Sequence, residues 1–393
     1  VPVDPADPSP VNPAAPREEF PPFSTDSPID QPAQPQWVVT GPPAPRPPHP
    51  GFWGAVLATF VYAVLQLTLG IACAVIAILV LAARSDDPQG FLSRLTRPDF
   101  PQSAEFHDID TLSEALSLAA FCPIGVAVGI ALLRFTAGRP WRRRIALCRP
   151  GWAHVLLAIL GAPALVILSG GAYSLALRAH LPTFHYQAQL EKLIGQFHPA
   201  FSILAIGLGP ALAEELWFRG LLGRGLVARY GYVGGVLLSS LFFGVLHLDP
   251  PHIVATFVMG ICLHCAYLAT RSLWIPVLLH FLNNSLSVLT ATLWKGNEIA
   301  ASIDDPDAVL YPAALLLGLA VGWAFYRSRV RLVAAPDGEA AAWHPDFPGV
   351  EYPPPGSGTG VVHPRLGWPT RVTVAVAVLI FAAVLLWPVW WGL

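Results

Sequence analysis

Three short stretches of this chain place acid–base side chains where lipid-facing or core residues are otherwise the rule. The first is Ala213-Glu214-Glu215-Leu216-Trp217-Phe218-Arg219. The second runs from Phe243 to His247, and the third from His280 through Asn283 to Asn284. All three lie in strongly apolar surroundings. An ionisable side chain at mid-membrane costs roughly 2.5–3.5 kcal/mol on insertion scales, so each needs a partner or a task. A carboxylate, two imidazoles and an amide are the groups required to activate water and to hold a developing oxyanion.

Helix geometry sorts them. Glu215 and Arg219 are four residues apart on one face, which predicts a structural ion pair. Glu214 is turned about 100° from Glu215 and faces a different neighbour. His280 and Asn284 also share a face, and His247 comes from a separate helix. The set can therefore point into one bundle interior from three helices. His264 has no carboxylate or amide at helical spacing and reads as structural. His252, beside Pro250-Pro251, reads as a loop residue. Cys262 and Cys265 have CxxC spacing on an apolar helix, where cysteines are usually packing residues.

Taken in order, Glu-Glu-x-x-x-Arg, Phe-x-x-x-His and His-x-x-x-Asn on apolar helices resemble the CPBP family. That family comprises the CAAX prenyl endopeptidases and the bacteriocin-processing or self-immunity (Abi) membrane proteins. The stretch from Phe257-Val258-Met259-Gly260 through Leu273-Trp274-Ile275-Pro276 to Asn284 is similar to further segments of the same family. The resemblance implies an all-helical intramembrane endopeptidase. It makes Glu214 the catalytic glutamate and His247 its water-activating partner. It makes His280 and Asn284 the oxyanion pair, with Glu215 and Arg219 in support. The chemistry agrees: an imidazole N–H and an amide are suitable oxyanion donors. No serine, cysteine or threonine accompanies them as a nucleophile, so direct attack by water is expected, without a cofactor. The alternative is zinc on Glu214, His247 and His280 with Glu215 as base, as in hydrolase sites built from two histidines and a glutamate. Against it, the His-Glu-x-x-His spacing is absent. A non-catalytic binding or immunity protein and a transporter with a Gly/Pro-broken helix are the other readings.

The elements that must position these groups are written in the composition. Of 393 residues, 54% are hydrophobic and only 12% charged, half the usual charged fraction of a soluble domain. The reading is an all-α, polytopic membrane bundle with about nine spans and a CAAX-protease-like core, in contact with the lipid bilayer. The expected spans are 53–83, 113–135, 152–177, 200–222, 232–248, 253–270, 273–293, 308–326 and 372–391. Trp53, Trp152, Trp274, Trp294, Trp387 and Trp390 fall at their ends, as interfacial aromatics do. A net charge of −2 excludes a broad phosphate-binding surface, so nucleic acid is not a partner. The expected partner is a peptide or membrane-protein substrate.

Organisation follows. Residues 1–50 are dense in proline and are expected to be a disordered cytoplasmic tail. Residues 51–199 form the N-terminal helices and loops, and 200–293 the CPBP-like core. Residues 294–331 hold another span, 332–370 a flexible Pro/Gly-rich connector, and 371–393 the last helix. Arginines crowd the 136–151, 223–231 and 327–371 connections. By the positive-inside rule the N-terminus is cytoplasmic and the C-terminus outside, in what is expected to be a bacterial inner membrane. On this scheme His247 falls near the outer end of its span and His280 nearer the inner end, unless the 232–248 helix is buried short.

Overall fold

Lipid offers the backbone no hydrogen bonds, so an apolar chain must pair its own peptide groups, which a helix does within each segment. Helices accordingly dominate the computed structural model, which describes residues 45–184, 186–293, 309–334 and 342–391. Most of the expected tail (1–44), the 294–308 loop with Trp294 and Lys295, and residues 335–341 of the connector lie outside the described residues.

The first part of the chain forms α1 (Phe52–Arg84), α2 (Pro88–Arg94), α3 (Ala104–Ala137), α4 (Trp141–Arg144), α5 (Trp152–Arg178) and α6 (Tyr186–Gln196). At 1.5 Å per residue α1 and α3 are each about 50 Å long, some 20 Å more than a hydrocarbon layer needs. Their surplus lies at one end. There Ala77, Ala82, Phe91, Phe100 and Ile109 make a small core of their own, and Arg94 Nε pairs with Glu105 Oε1 at 2.9 Å. Asp87 caps α2 by accepting from Gly90 N at 2.9 Å, and Ser103 caps α3 by accepting from Phe106 N at 3.1 Å.

Next comes a helical run, Pro199–Val245. It contains α7 (Pro199–Ser202), α8 (Gly209–Glu215) and α9 (Arg224–Val245). Two π-helical stretches, Ile203–Leu208 and Leu216–Gly223, join them. Eight helices among the described residues are long and apolar enough to cross a membrane, where nine spans are expected. The difference arises here, because the expected 200–222 and 232–248 spans fall in one run. Gly231 breaks it, with φ 71° and ψ −178°, a backbone state open to glycine and few others. Beyond Gly231 the chain doubles back. Ser239 Oγ donates to Phe218 O at 2.9 Å, and the Phe218 and Phe243 rings lie 5.3 Å apart. The returning rod, 232–245, rises only about 21 Å, well short of a hydrocarbon layer.

Close packing of that hairpin depends on Gly235, where a Cβ would overlap the backbone of Val227 and Leu226. Gly235→Leu is expected to destabilise the protein by more than the roughly 1–3 kcal/mol of ordinary overpacking, because backbone cannot yield as a side chain does. Gly70→Leu, which meets open space, is the control. Thermal unfolding in detergent compares the two, and equal melting temperatures would contradict the packed hairpin.

The remaining elements are α10 (Pro250–Thr270), α11 (Trp274–Leu293), α12 (Leu310–Arg327), the strands β1 (Arg331–Ala334) and β2 (Thr359–Val362), and α13 (Trp368–Trp391). The described residues of the 332–370 connector, expected to be flexible, carry paired strands and contacts to the bundle. β1 and β2 pair antiparallel, with Arg331 opposite Val362. Val330 N donates to Ala269 O at 2.8 Å and Tyr352 N to Arg143 O at 3.2 Å. Arg271 Nη1 donates to Glu351 O at 2.8 Å. The main core holds Trp217, Phe218, Leu222, Leu226, Phe243 and Leu263, all fully buried.

Candidate active site

The π-helical stretches that flank Glu214 and Glu215 have a local cause. Pro210 has no N–H, so the carbonyl four residues before it, Ile206 O, loses its helical partner. Asn284 Nδ2 supplies the missing donor at 3.0 Å. In the second stretch Phe218 O is taken by Ser239, as above. Such π turns concentrate at functional sites because they displace side chains from regular helical register. Here they turn Glu214 and Glu215 toward different neighbours.

Glu215 is the buried hub. Its Oε1 accepts from Arg219 Nη1 at 2.7 Å and lies 2.9 Å from His280 Nδ1. Arg219 Nη2 continues to Gly260 O at 3.2 Å, and its guanidinium lies 4.6 Å from the Phe243 ring centroid. Glu215, Arg219 and His280 are all at most 2% exposed. With Nδ1 committed to Glu215, the other nitrogen of His280 looks outward and stands 3.8 Å from Glu214 Oε2.

Glu214 faces a cavity of about 690 Å³ lined also by Gln66, Phe184, His247 and Asp249. His247 follows the end of α9, and its Nδ1 lies 3.2 Å from Phe243 O. In the Nδ1–H tautomer that bond fixes the ring and leaves Nε2 as an acceptor. Phe243 touches both imidazoles edge-on, with centroids 5.4 Å from His247 and 5.8 Å from His280. The phenylalanine of the second motif thus sets the spacing of the two histidines and carries Arg219 on its face.

Residues 196–286, the segment that supplies every one of these groups except those of α1 and the 183–184 loop, match the Rce1-like family, type II CAAX prenyl endopeptidases. In this segment the chain is similar to that family of membrane endopeptidases. It is 30% identical over 91 residues to YdiL of Bacillus subtilis, a candidate membrane peptidase by its name. It is 27% identical over 173 residues to MroQ of Staphylococcus aureus, a membrane-embedded CAAX protease. The first match covers 23% of this chain and 37% of YdiL, the second 42% of this chain and 68% of MroQ. No solved structure matches the chain.

The structure brings Glu214 and His247 to one cavity and sets His280 directly behind Glu214. It does not join His280 to Asn284. The amide of Asn284 is held instead by Ile206 O and by Asn283, whose Nδ2 donates to Asn284 Oδ1 at 3.1 Å. No three His, Cys, Asp or Glu side chains among the described residues are grouped to hold a metal.

Several site residues escaped the sequence reading. Tyr62 and Gln66 reach in from α1, outside the CPBP match. Tyr62 is 1% exposed and packs its ring 4.8 Å from Trp217, and Gln66 lines the cavity. A glutamine amid apolar residues was the available signal. Asp249 is the second. It is 1% exposed, and its Oδ1 accepts from Thr183 Oγ1 at 3.0 Å and Phe184 N at 2.6 Å. Asp249 thereby straps the α5–α6 connection across the cavity mouth. His252, read as a loop residue, is instead in the first turn of α10 and stacks on His247 at 5.1 Å. The Pro250-Pro251 pair that marked a loop serves as the helix start, where missing N–H groups cost nothing.

Proposed function

We propose that this membrane protein is an intramembrane endopeptidase of the CPBP type. It hydrolyses peptide bonds of a membrane-associated or peptide precursor substrate by direct attack of water. The observation that carries the reading is one cavity faced by Glu214 and His247, with His280 Nε2 standing 3.8 Å behind the carboxylate.

Glu214 and His247 orient a water, and Glu214 takes its proton as the oxygen attacks the scissile carbonyl. His280, whose outward nitrogen stands 3.8 Å from Glu214 Oε2, is the proposed donor to the resulting oxyanion. The proton then passes from Glu214 to the leaving nitrogen, the C–N bond breaks, and an acid and an amine depart.

The protein is taken to lie in a bacterial inner membrane with its N-terminus cytoplasmic and its C-terminus outside. Purified protein in detergent, offered a mixed peptide library, is expected to cleave it, with the pattern unchanged by a strong chelator. Complete inhibition by the chelator, restored by added zinc, would replace the water-activating glutamate with metal chemistry. The absence of any cleavage would favour the non-catalytic binding or immunity reading.

A further inference from the structure

We propose that the cavity admits its substrate from the extracytoplasmic face of the membrane. Its substrates are then exported polypeptides, or the extracytoplasmic segments of membrane proteins, rather than chains presented from the cytosol. This rests on the endopeptidase reading above and specifies which substrates that site can meet.

Hydrogen bonds first fix which helix ends lie together. Arg224 Nη2 donates to His49 O at 3.2 Å and to Thr136 O at 3.4 Å. Leu273 N donates to Ala146 O at 3.0 Å, and Val330 N to Ala269 O. The start of α1, the end of α3, the α10–α11 turn and the end of α12 therefore share one face. That face carries Arg139, Arg142, Arg143, Arg149, Arg229 and Arg329. The opposite face carries Asp86, Asp87, Asp99, Glu105, Asp108 and Asp110 beside Arg84, Arg94, Arg97, Arg178 and Lys192, whereas the first face adds Arg144, Arg224, Arg271 and Arg327 to its arginines. Lysine and arginine in short loops mark the cytoplasmic side, so the acidic face is the outer one.

The cavity opens on that acidic face. Its rim residues Phe184 and Leu248 are 64% and 72% exposed, and both belong to connections at that end. Phe184 is tied there through Asp249, and α6, which follows it, is tied by Lys192 to Asp110 at 3.4 Å. Toward the arginine-rich face the passage is closed. Trp217, Phe218, Leu221, Leu222 and Phe243 are at most 3% exposed and fill the bundle between Glu214 and that side. A polypeptide in the cytosol meets a sealed core, whereas one on the outer side meets an open mouth that leads to Glu214. Export must precede cleavage for any substrate made in the cytosol.

The test is labelling in a background whose five native cysteines are replaced by alanine. Phe184→Cys and Leu248→Cys at the rim, and Arg139→Cys at the other end, are treated with a membrane-impermeant maleimide in intact spheroplasts. The rim cysteines are expected to label and Arg139→Cys only after lysis. Labelling of Arg139→Cys but not of the rim in intact cells would overturn the proposal. In parallel, sealed right-side-out vesicles are expected to cleave an externally added mixed peptide library, and inside-out vesicles not to. Failure of the endopeptidase reading shows itself separately, as no cleavage from either vesicle type with the labelling pattern unchanged.

Discussion

Replacing Glu214 by glutamine is expected to lower peptide cleavage by about 10²–10⁴-fold, the usual worth of a general base, without loss of stability. The amide keeps the size of the carboxylate and loses only its charge and basicity. Nothing in the fold depends on that charge. Glu214 lines the cavity, and its nearest charged partner is a histidine nitrogen at 3.8 Å, beyond hydrogen-bond range. The neighbouring Glu215 carries its own negative charge, so removal of a like charge relieves repulsion inside the bundle. The melting temperature in detergent should therefore match or exceed that of the unaltered protein while turnover collapses. His247→Ala should reduce cleavage as well, since the ring on the cavity wall is lost. Full turnover by Glu214→Gln would remove this carboxylate from the reaction and with it the proposed mechanism.

What the sequence revealed of this site was set by the range over which residues act. The Glu215–Arg219 pair was legible because four-residue spacing on a helix is a local rule, and the two atoms stand at 2.7 Å. The order of the three motifs placed their helices together, because ionisable groups cannot face lipid unpaired. Asp249 and Phe184 are 65 residues apart, and no local pattern links them. The sharp return at Gly231 was hidden for another reason. Glycine is common in transmembrane helices, and only the backbone angles single this one out. The role of Asn284 illustrates the same limit. Its spacing from His280 pointed to a shared face, whereas the carbonyl orphaned by Pro210 claimed its amide first. The contacts of the described part of the 332–370 connector were hidden because composition reports local propensity, whereas Glu351 and Tyr352 bond to the distant Arg271 and Arg143.

Arg219→Ala is expected to have the opposite profile to Glu214→Gln, destroying stability before chemistry. Arg219 is 1% exposed and Glu215 0%, so the substitution leaves a carboxylate buried with half its partners gone. Breaking a buried pair from one side costs about 3–5 kcal/mol, most of it the desolvation of the stranded charge. Two further contacts go with it: the bond to Gly260 O, which ties α10 to the second π-helical stretch, and the guanidinium stacked on Phe243. The readout is thermal unfolding in detergent together with the yield of folded protein. A second substitution separates charge from shape. Arg219→Ala with Glu215→Gln removes the stranded charge, so the double variant should recover part of the loss. Recovery should be incomplete, because the neutral amide is a weaker acceptor for His280 Nδ1 than a carboxylate. A double variant no more stable than Arg219→Ala alone would mean that the cost lies in lost packing rather than in the unpaired carboxylate. If Arg219→Ala kept its full melting temperature but lost turnover, Arg219 would belong with Glu214 and His247 in the chemistry rather than in the support beneath it.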